Sequence, residues 1–373
     1  MEIATDPPPL GTRPAAAPGS RRVTWADAAR GYGIILVVFG HTLRGLVGGG
    51  LMAWTPATRG VDAWVYAFHM PLFFVLSGMF LPRLAARPIG TFAGDKLRTI
   101  AYPYLVWSTL TLLIKSSLGR SANDPRTIAD LPLIFHDPID QFWFLYVLFF
   151  LAMAAGVLLK LRAGPLGLLA AAVLAYPGVL PSSGGWVPLI EARLFAIYLA
   201  AGAVFGAGRW PREVAGARRP WLAATACVGL AIPALAVAAG LEGRTWLRPA
   251  LALAGTAAVV ALAILTGRTR LDRAIRLLGV YSLPIFVAHT IASAGTRIAL
   301  VKFARIGDPA THLVLGTVAG LLVPLGLAIA CERIGFPYGF TLPKRADRRA
   351  EAVVKPGSRG VDEIHHGPGP PEG

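Results

Sequence analysis

Cysteine is nearly missing from this chain. There are two in 373 residues, Cys227 and Cys331, both inside apolar segments, so neither a disulfide framework nor a zinc-ligand cluster can be assembled from them. Charge is scarce as well: 15% of residues are Asp, Glu, Lys or Arg, against about 25% in a soluble domain of ordinary composition. The first 20 residues are rich in Pro, Ala and Gly and contain no apolar h-region. No cleaved signal peptide is therefore expected, and the first helix is expected to direct insertion itself. No HExxH spacing occurs, which removes a common signature of a histidine-held zinc ion. No internal repeat stands out either, and paired repeats are what many transporters show.

Apolar sequence is what the chain has in excess. Hydrophobic residues make up 55% of it, with a mean hydropathy of +0.58. They come in runs of about 20, the length a helix needs to span a bilayer of about 30 Å. Ten such segments can be marked, at 31–51, 61–81, 99–118, 141–160, 164–181, 190–208, 220–240, 247–266, 277–300 and 312–331. The expected fold is all-α: a polytopic integral membrane protein with about ten transmembrane helices. Pro71, Pro103, Pro284 and Pro324 fall inside these segments and are tolerated where neighbouring helices re-satisfy the backbone.

The net charge of +16 could suggest nucleic acid as a partner, but its distribution argues for a membrane. Most of the 36 Lys and Arg fall on the side that receives both chain ends, among them Arg21, Arg22, Arg83, Arg87, Lys96, Arg98, Arg218 and Arg219. Few, such as Arg59, Lys115 and Arg126, fall opposite. By the positive-inside rule both ends are expected in the cytoplasm, N-in and C-in, with no nucleic-acid partner. The domain plan expected is a disordered tail over 1–22, a transmembrane domain over 23–335 and a disordered charged, then Pro/Gly-rich tail over 344–373, with no appended soluble domain. The longest external connector, 116–140, holds Asp124, Asp130, Asp137 and Asp140. It reads as a solvated link with room for a short interfacial helix.

Residues 25–44 organise the rest. A polar start with Asp27 and Arg30 runs directly into an apolar helix that carries His41. Arg30 and His41 are eleven residues apart, about three turns plus 20°, so they share a helix face about 16 Å apart along the axis. That places Arg30 at one surface and His41 near mid-membrane, where an ionisable group is costly and marks a functional candidate. His69 and His289 reach similar depths in the second and ninth segments. Each alone reads as a hydrogen-bonded structural residue. Three at one depth, from different helices, point to a shared polar cavity, and imidazole is the side chain best suited to take a proton near neutral pH. Arg30 is either a membrane anchor paired with Asp27 or an anion contact at the mouth of the helix. Lys96 and Arg98 offer further cations at that surface, for coenzyme phosphates or anionic lipid heads. Ser77-Gly78 suits close helix packing, and Glu332 followed by Arg333 reads as an interfacial ion pair.

Taken in order, these pieces resemble one family. Arg30 and His41 within ARGYGIILVVFGH resemble the first-helix signature of acyltransferase family 3, the integral membrane acyltransferases. Residues 68–74, FHMPLFF, with Ser77-Gly78 are similar to its second-helix segment. Lys96-Leu97-Arg98 before Pro103-Tyr104 resembles its basic cluster, Trp143-Phe144-Leu145 its WFL, and residues 282–286, SLPIF, with His289 its ninth helix. Glu332 sits where the family often has a closing Glu, although Arg-Ile-Gly follows it here instead of Arg-Pro. The resemblance spans about residues 23–335. It implies transfer of a small acyl group, usually acetyl, from cytoplasmic acyl-CoA (acetyl-CoA in the first instance) to a hydroxyl on a saccharide or lipid-linked saccharide of the cell envelope. It also implies a bacterial inner membrane location, with membrane lipids as further partners. Within this frame His41, Arg30 and Glu332 are the candidate catalytic residues. Arg98, Lys96, His69, His289 and Ser77 are the candidate binding residues. The competing reading is a transporter or flippase for an envelope saccharide, since mid-membrane histidines also relay protons.

Overall fold

The structure, a computed structural model, describes residues 23–119, 123–177, 179, 185–267 and 269–343. The two expected tails, 1–22 and 344–373, lie outside the described residues. No β-strand occurs among those described. The α-helices in chain order are α1 (Thr24–Gly48), α2 (Pro56–Ala85), α3 (Ile89–Lys96), α4 (Tyr102–Leu118), α5 (Trp143–Lys160), α6 (Gly164–Ala175) and α7 (Val187–Ala207). They continue as α8 (Trp210–Ala215), α9 (Arg219–Ala238), α10 (Arg248–Thr266), α11 (Arg270–Val280), α12 (Ser282–Lys302) and α13 (Pro309–Arg333).

Among the described residues, eight helical stretches are long and apolar enough to cross a membrane: α1, α2, Ile128–Lys160 with α5 inside it, α7, α9, α10, α12 and α13. The chain is thus a polytopic, all-helical membrane protein. The other two expected spans are shorter helices, α4 with 17 residues and α6 with 12. Proline explains both. Pro103 has no N–H to offer the Thr99 carbonyl, and the turn before it widens into a π-helix, Leu97–Ala101, with the Tyr102 amide donating to the Leu97 carbonyl. Pro177 forces the preceding Tyr176 into an extended conformation (ψ 136°), and α6 stops there. The segment expected over 277–300 is also divided. Pro284 cannot continue a helix from α11, because its ring would meet the Val280 carbonyl, but it is accommodated in the first turn of α12. α11 is a separate amphipathic helix with Asp272, Ile275 and Gly279 on its buried face.

α1 is the central helix, packed against α2, α10, α11, α12 and α13. Its crossing with α11 is backbone on backbone: a Cβ on Gly31 would overlap the Ile275 carbonyl, and one on Gly279 the Asp27 carbonyl. α2 and α7 meet in the same way. A methyl on Gly78 would overlap the Leu199 carbonyl, on Gly202 the Val75 carbonyl, and on Gly206 the Met79 carbonyl. Small residues allow such approach where no hydrophobic force drives helices together. The close packing expected at Ser77-Gly78 is carried by the glycine. The connector after α4 holds a 3-10 helix, Ile128–Phe135, opened by a Thr127/Asp130 capping box. It is fastened to the bundle by Tyr104 and Tyr146, whose hydroxyls donate to the Ile134 and Phe135 carbonyls.

Candidate active site

Two cavities lie one beyond the other along α1. The larger, about 490 Å³, is lined by His41 and His69 with Tyr66, Gln141 and Thr290, among others. The expected convergence of three histidines is met in their rings but not in one shared lining: His289 packs behind His41 and does not line the cavity. The rings of His41 and His289 are 5.0 Å apart between centroids, His41 and Tyr66 6.1 Å, and Tyr66 and His69 4.5 Å. A carbonyl only accepts, so each histidine's partner fixes its tautomer. Nδ1–H of His41 donates to Val37 O at 2.9 Å, that of His69 to Val65 O at 2.8 Å, and that of His289 to Phe286 O at 2.7 Å. In all three the helix's own carbonyl accepts the Nδ1–H hydrogen bond, which keeps the proton on Nδ1 and leaves Nε2 as the basic nitrogen. His69 and His289 are 0% exposed, whereas His41 is only partly covered. His41 is therefore the one whose base reaches open space.

The residues that line the cavity carry polar atoms that have no hydrogen-bond partner among the described residues: Tyr66 Oη, His69 Nε2, Thr111 Oγ1, Gln141 Oε1 and His312 Nδ1. Buried polar atoms are costly to leave unpaired, so a ligand with many hydroxyls would be matched here. Charge collects at the end of the cavity away from Arg30. Arg44 forks onto Asp62 at 2.7 and 2.8 Å and lies over the Tyr66 ring. Lys115 bridges Asp124 and Asp140 at 3.3 and 2.8 Å. Asp124 also takes Arg126 at 3.1 Å. Burial raises the Asp124 carboxyl, but Arg126 and Lys115 outweigh it and hold it below the usual carboxylate range. Arg297 donates to Gly45 O and, at 2.9 Å, to Asn123 Oδ1.

The smaller cavity, about 250 Å³, lies at the N-terminal end of α1 and brings together Arg30, Ser77 and Lys96, with Thr99 and Ser282. Arg30 keeps the expected pair with Asp27, at 3.2 Å, and lies over the Phe80 ring. Lys96 is held over Phe92, and burial pushes its ammonium down from the ordinary lysine range, with Asp95 opposing. The sequence reading put Arg30 and His41 on one helix face, with Arg30 at its mouth. The structure divides them: only Phe286 lines both spaces.

Three candidates lie apart from both linings, the first of them His289, which is buried against His41. Arg98 sits in the π-turn, and its carbonyl accepts from Leu342 N and Thr341 Oγ1. Glu332 is exposed and accepts the Tyr281 hydroxyl at 2.5 Å, at the break between α11 and α12. Sequence reasoning missed Tyr66, Thr111, Gln141 and the Arg44–Asp62 pair. Tyr66 stands three residues before His69, and Ser293 and Arg297 stand four and eight after His289, so helical spacing from the histidines was the signal that could have found them.

A multi-pass helical bundle with a buried histidine cluster and a separate cationic cavity is what this chain presents. Residues 23–329 match an acyltransferase domain, and the chain belongs to that family, acyltransferase family 3. Over 129 residues it is 32% identical to the nodulation protein NolL of Mesorhizobium japonicum, a match that covers 33% of this chain and 32% of that protein. The aligned part thus spans about a third of that relative's length. No solved structure matches the chain.

Proposed function

We propose that this protein is a membrane-embedded O-acyltransferase that moves a short acyl group, acetyl in the first instance, from acyl-CoA to a hydroxyl of a cell-envelope saccharide. The observation that carries the reading is His41. Its Nδ1–H is committed to Val37 O, and its Nε2 faces a cavity walled by unpaired hydrogen-bonding atoms. His41 Nε2 takes the acceptor hydroxyl proton as the oxygen attacks the thioester carbonyl carbon. The carbon–sulfur bond breaks, and the proton passes to the departing thiolate, giving an ester and free coenzyme. Tyr66, Gln141 and Thr290, on the lining of that cavity, hold the acceptor by its other hydroxyls.

The donor's phosphates fit the other cavity. Arg30 and Lys96 supply cations there, and an anion beside Lys96 would offset the burial that disfavours its charge. This orientation puts the Arg30 end of α1 on the cytoplasmic side of a bacterial inner membrane, a reading that the basic asymmetry supports. Reporter fusions after Arg219 and after Arg345 should read cytoplasmic and one after Arg126 external; an external signal at Arg219 would reverse the donor side. The function itself is tested by mass spectrometry of envelope saccharides from wild-type and deletion cells. Loss of an acyl mass increment is expected. Identical saccharide masses, with the protein inserted in wild type, would reject the reading.

A further inference from the structure

The two cavities share a single lining residue, Phe286. Around it the seam runs between neighbouring residues. Met70 lines the histidine cavity and Phe73 the cationic one; Trp143 lines the first and Phe144 the second. Phe286 closes this seam edge-on to Phe144, with 5.2 Å between ring centroids, and lies 6.1 Å from His289. Phe144 is in turn backed by Phe74 at 5.1 Å and Phe73 at 6.0 Å. The partition is thus an aromatic ring packed on other rings, and Phe286 is 4% exposed. On the α12 backbone the Phe286 carbonyl also holds the His289 ring, so the residue's place in the helix is fixed while its ring faces two spaces.

We propose that Phe286 sets the size of the acyl group that this protein transfers. The inference rests on the donor and acceptor reading above: the coenzyme phosphates sit by Arg30 and Lys96, the base is His41, and the thioester end of the donor must pass the Phe286 ring to reach it. The ring leaves room for a short acyl group and rejects longer ones, because each added methylene must displace part of an aromatic side chain packed against Phe144. Phenylalanine at this position therefore acts as a ruler on the acyl chain, whereas the hydrogen-bonding wall beyond it reads the acceptor.

The test is a ratio, so the amount of folded protein cancels. Acetyl-CoA and butyryl-CoA are supplied as competing donors to membranes containing wild type, Phe286→Ala, Phe286→Leu or Phe286→Trp, and the two esters are counted by mass spectrometry. Phe286→Ala should raise the butyryl-to-acetyl ratio about tenfold or more, in keeping with what one or two methylenes contribute to discrimination in an apolar pocket. Phe286→Leu should fall between, which keeps the test alive if the alanine variant does not insert. Phe286→Trp should depress transfer of both groups. An unchanged ratio in the alanine and leucine variants, with acetyl transfer intact, overturns the role of Phe286 alone. Absence of transfer from any acyl-CoA in wild type overturns the donor reading and this inference together.

Discussion

The cavity around His41 and the cavity around Arg30 lie on the same helix yet are built differently. In the first, the cations Arg44 and Lys115 are matched by Asp62, Asp124 and Asp140, and the wall offers neutral donors and acceptors. In the second, Arg30 and Lys96 lean on the faces of Phe80 and Phe92, and the lining is largely apolar. A balanced, hydroxyl-matching wall suits a neutral polyol, and a pair of cations in an apolar setting suits a phosphate-bearing chain. Under the proposed function, the difference teaches that the two substrates would be read by different physics within one bundle: hydrogen-bond complementarity on one side, charge on the other.

The comparison breaks most sharply at His41. His41→Ala should reduce acyl transfer per inserted molecule by about 10²–10⁴-fold, the contribution of a general base. His69→Ala and His289→Ala, whose rings are wholly covered, should lower abundance more than turnover. Activity normalised to membrane-inserted protein decides this. Specific activity near that of wild type in His41→Ala would move the base to another residue.

Arg30→Ala tests the other side. Losing a charge-assisted contact should cost about 1.5–3 kcal/mol, or about a tenfold to hundredfold rise in the KM for acyl-CoA, with the acceptor KM unmoved. Equal changes in both would reduce Arg30 to an anchor that holds Asp27.

Gly206→Ala affects both cavities through packing. Its new methyl would overlap the Met79 carbonyl, so α2 and α7 must part, at about 1–3 kcal/mol. The expected readout is a lower thermal midpoint in detergent, with both substrates' KM values disturbed together.

The smallest effect is expected in the connector. The Asp124 carboxyl is held low by Arg126 and Lys115, so its contribution to stability is complete above the unfolded value of 3.8 and is lost as pH falls through the folded one. At neutral pH Asp124→Asn should differ from wild type by no more than about 1 kcal/mol, as exposed pairs do. The gap in thermal midpoint should close as the pH is taken below that range. A gap that widened on acidification would mean that Asp124 is not the ion-pair partner drawn here.

Much of this was legible in the sequence. Apolar run length gave the helical membrane class, and one face shared by Arg30 and His41 led to α1 as the organising helix. Similar depth brought His41, His69 and His289 together, as the ring distances show. The division into two cavities was not legible, because a helical wheel reports the angle around one axis and says nothing of Phe286 arriving from α12. Nor was the break before Ser282: hydropathy runs straight through Tyr281, and only Pro284 marks it. Arg98 was singled out for its charge, and nothing in the sequence showed that its backbone carbonyl, in the π-turn, accepts from Leu342 and Thr341.

The segment after α13 is fastened to the rest of the fold. Tyr102 Oη donates to Tyr338 O at 2.8 Å, Trp107 Nε1 to Gly339 O at 2.7 Å, Leu342 N to Arg98 O at 3.4 Å, and the rings of Trp107 and Phe340 stack at 5.3 Å. Like a buckle, it fastens the π-turn that presents Lys96 and Thr99. The homologous region stops at residue 329, before any of these contacts. Anyone shortening this protein to its shared domain, or placing a tag directly after α13, would cut the fastening and leave every matched residue in place.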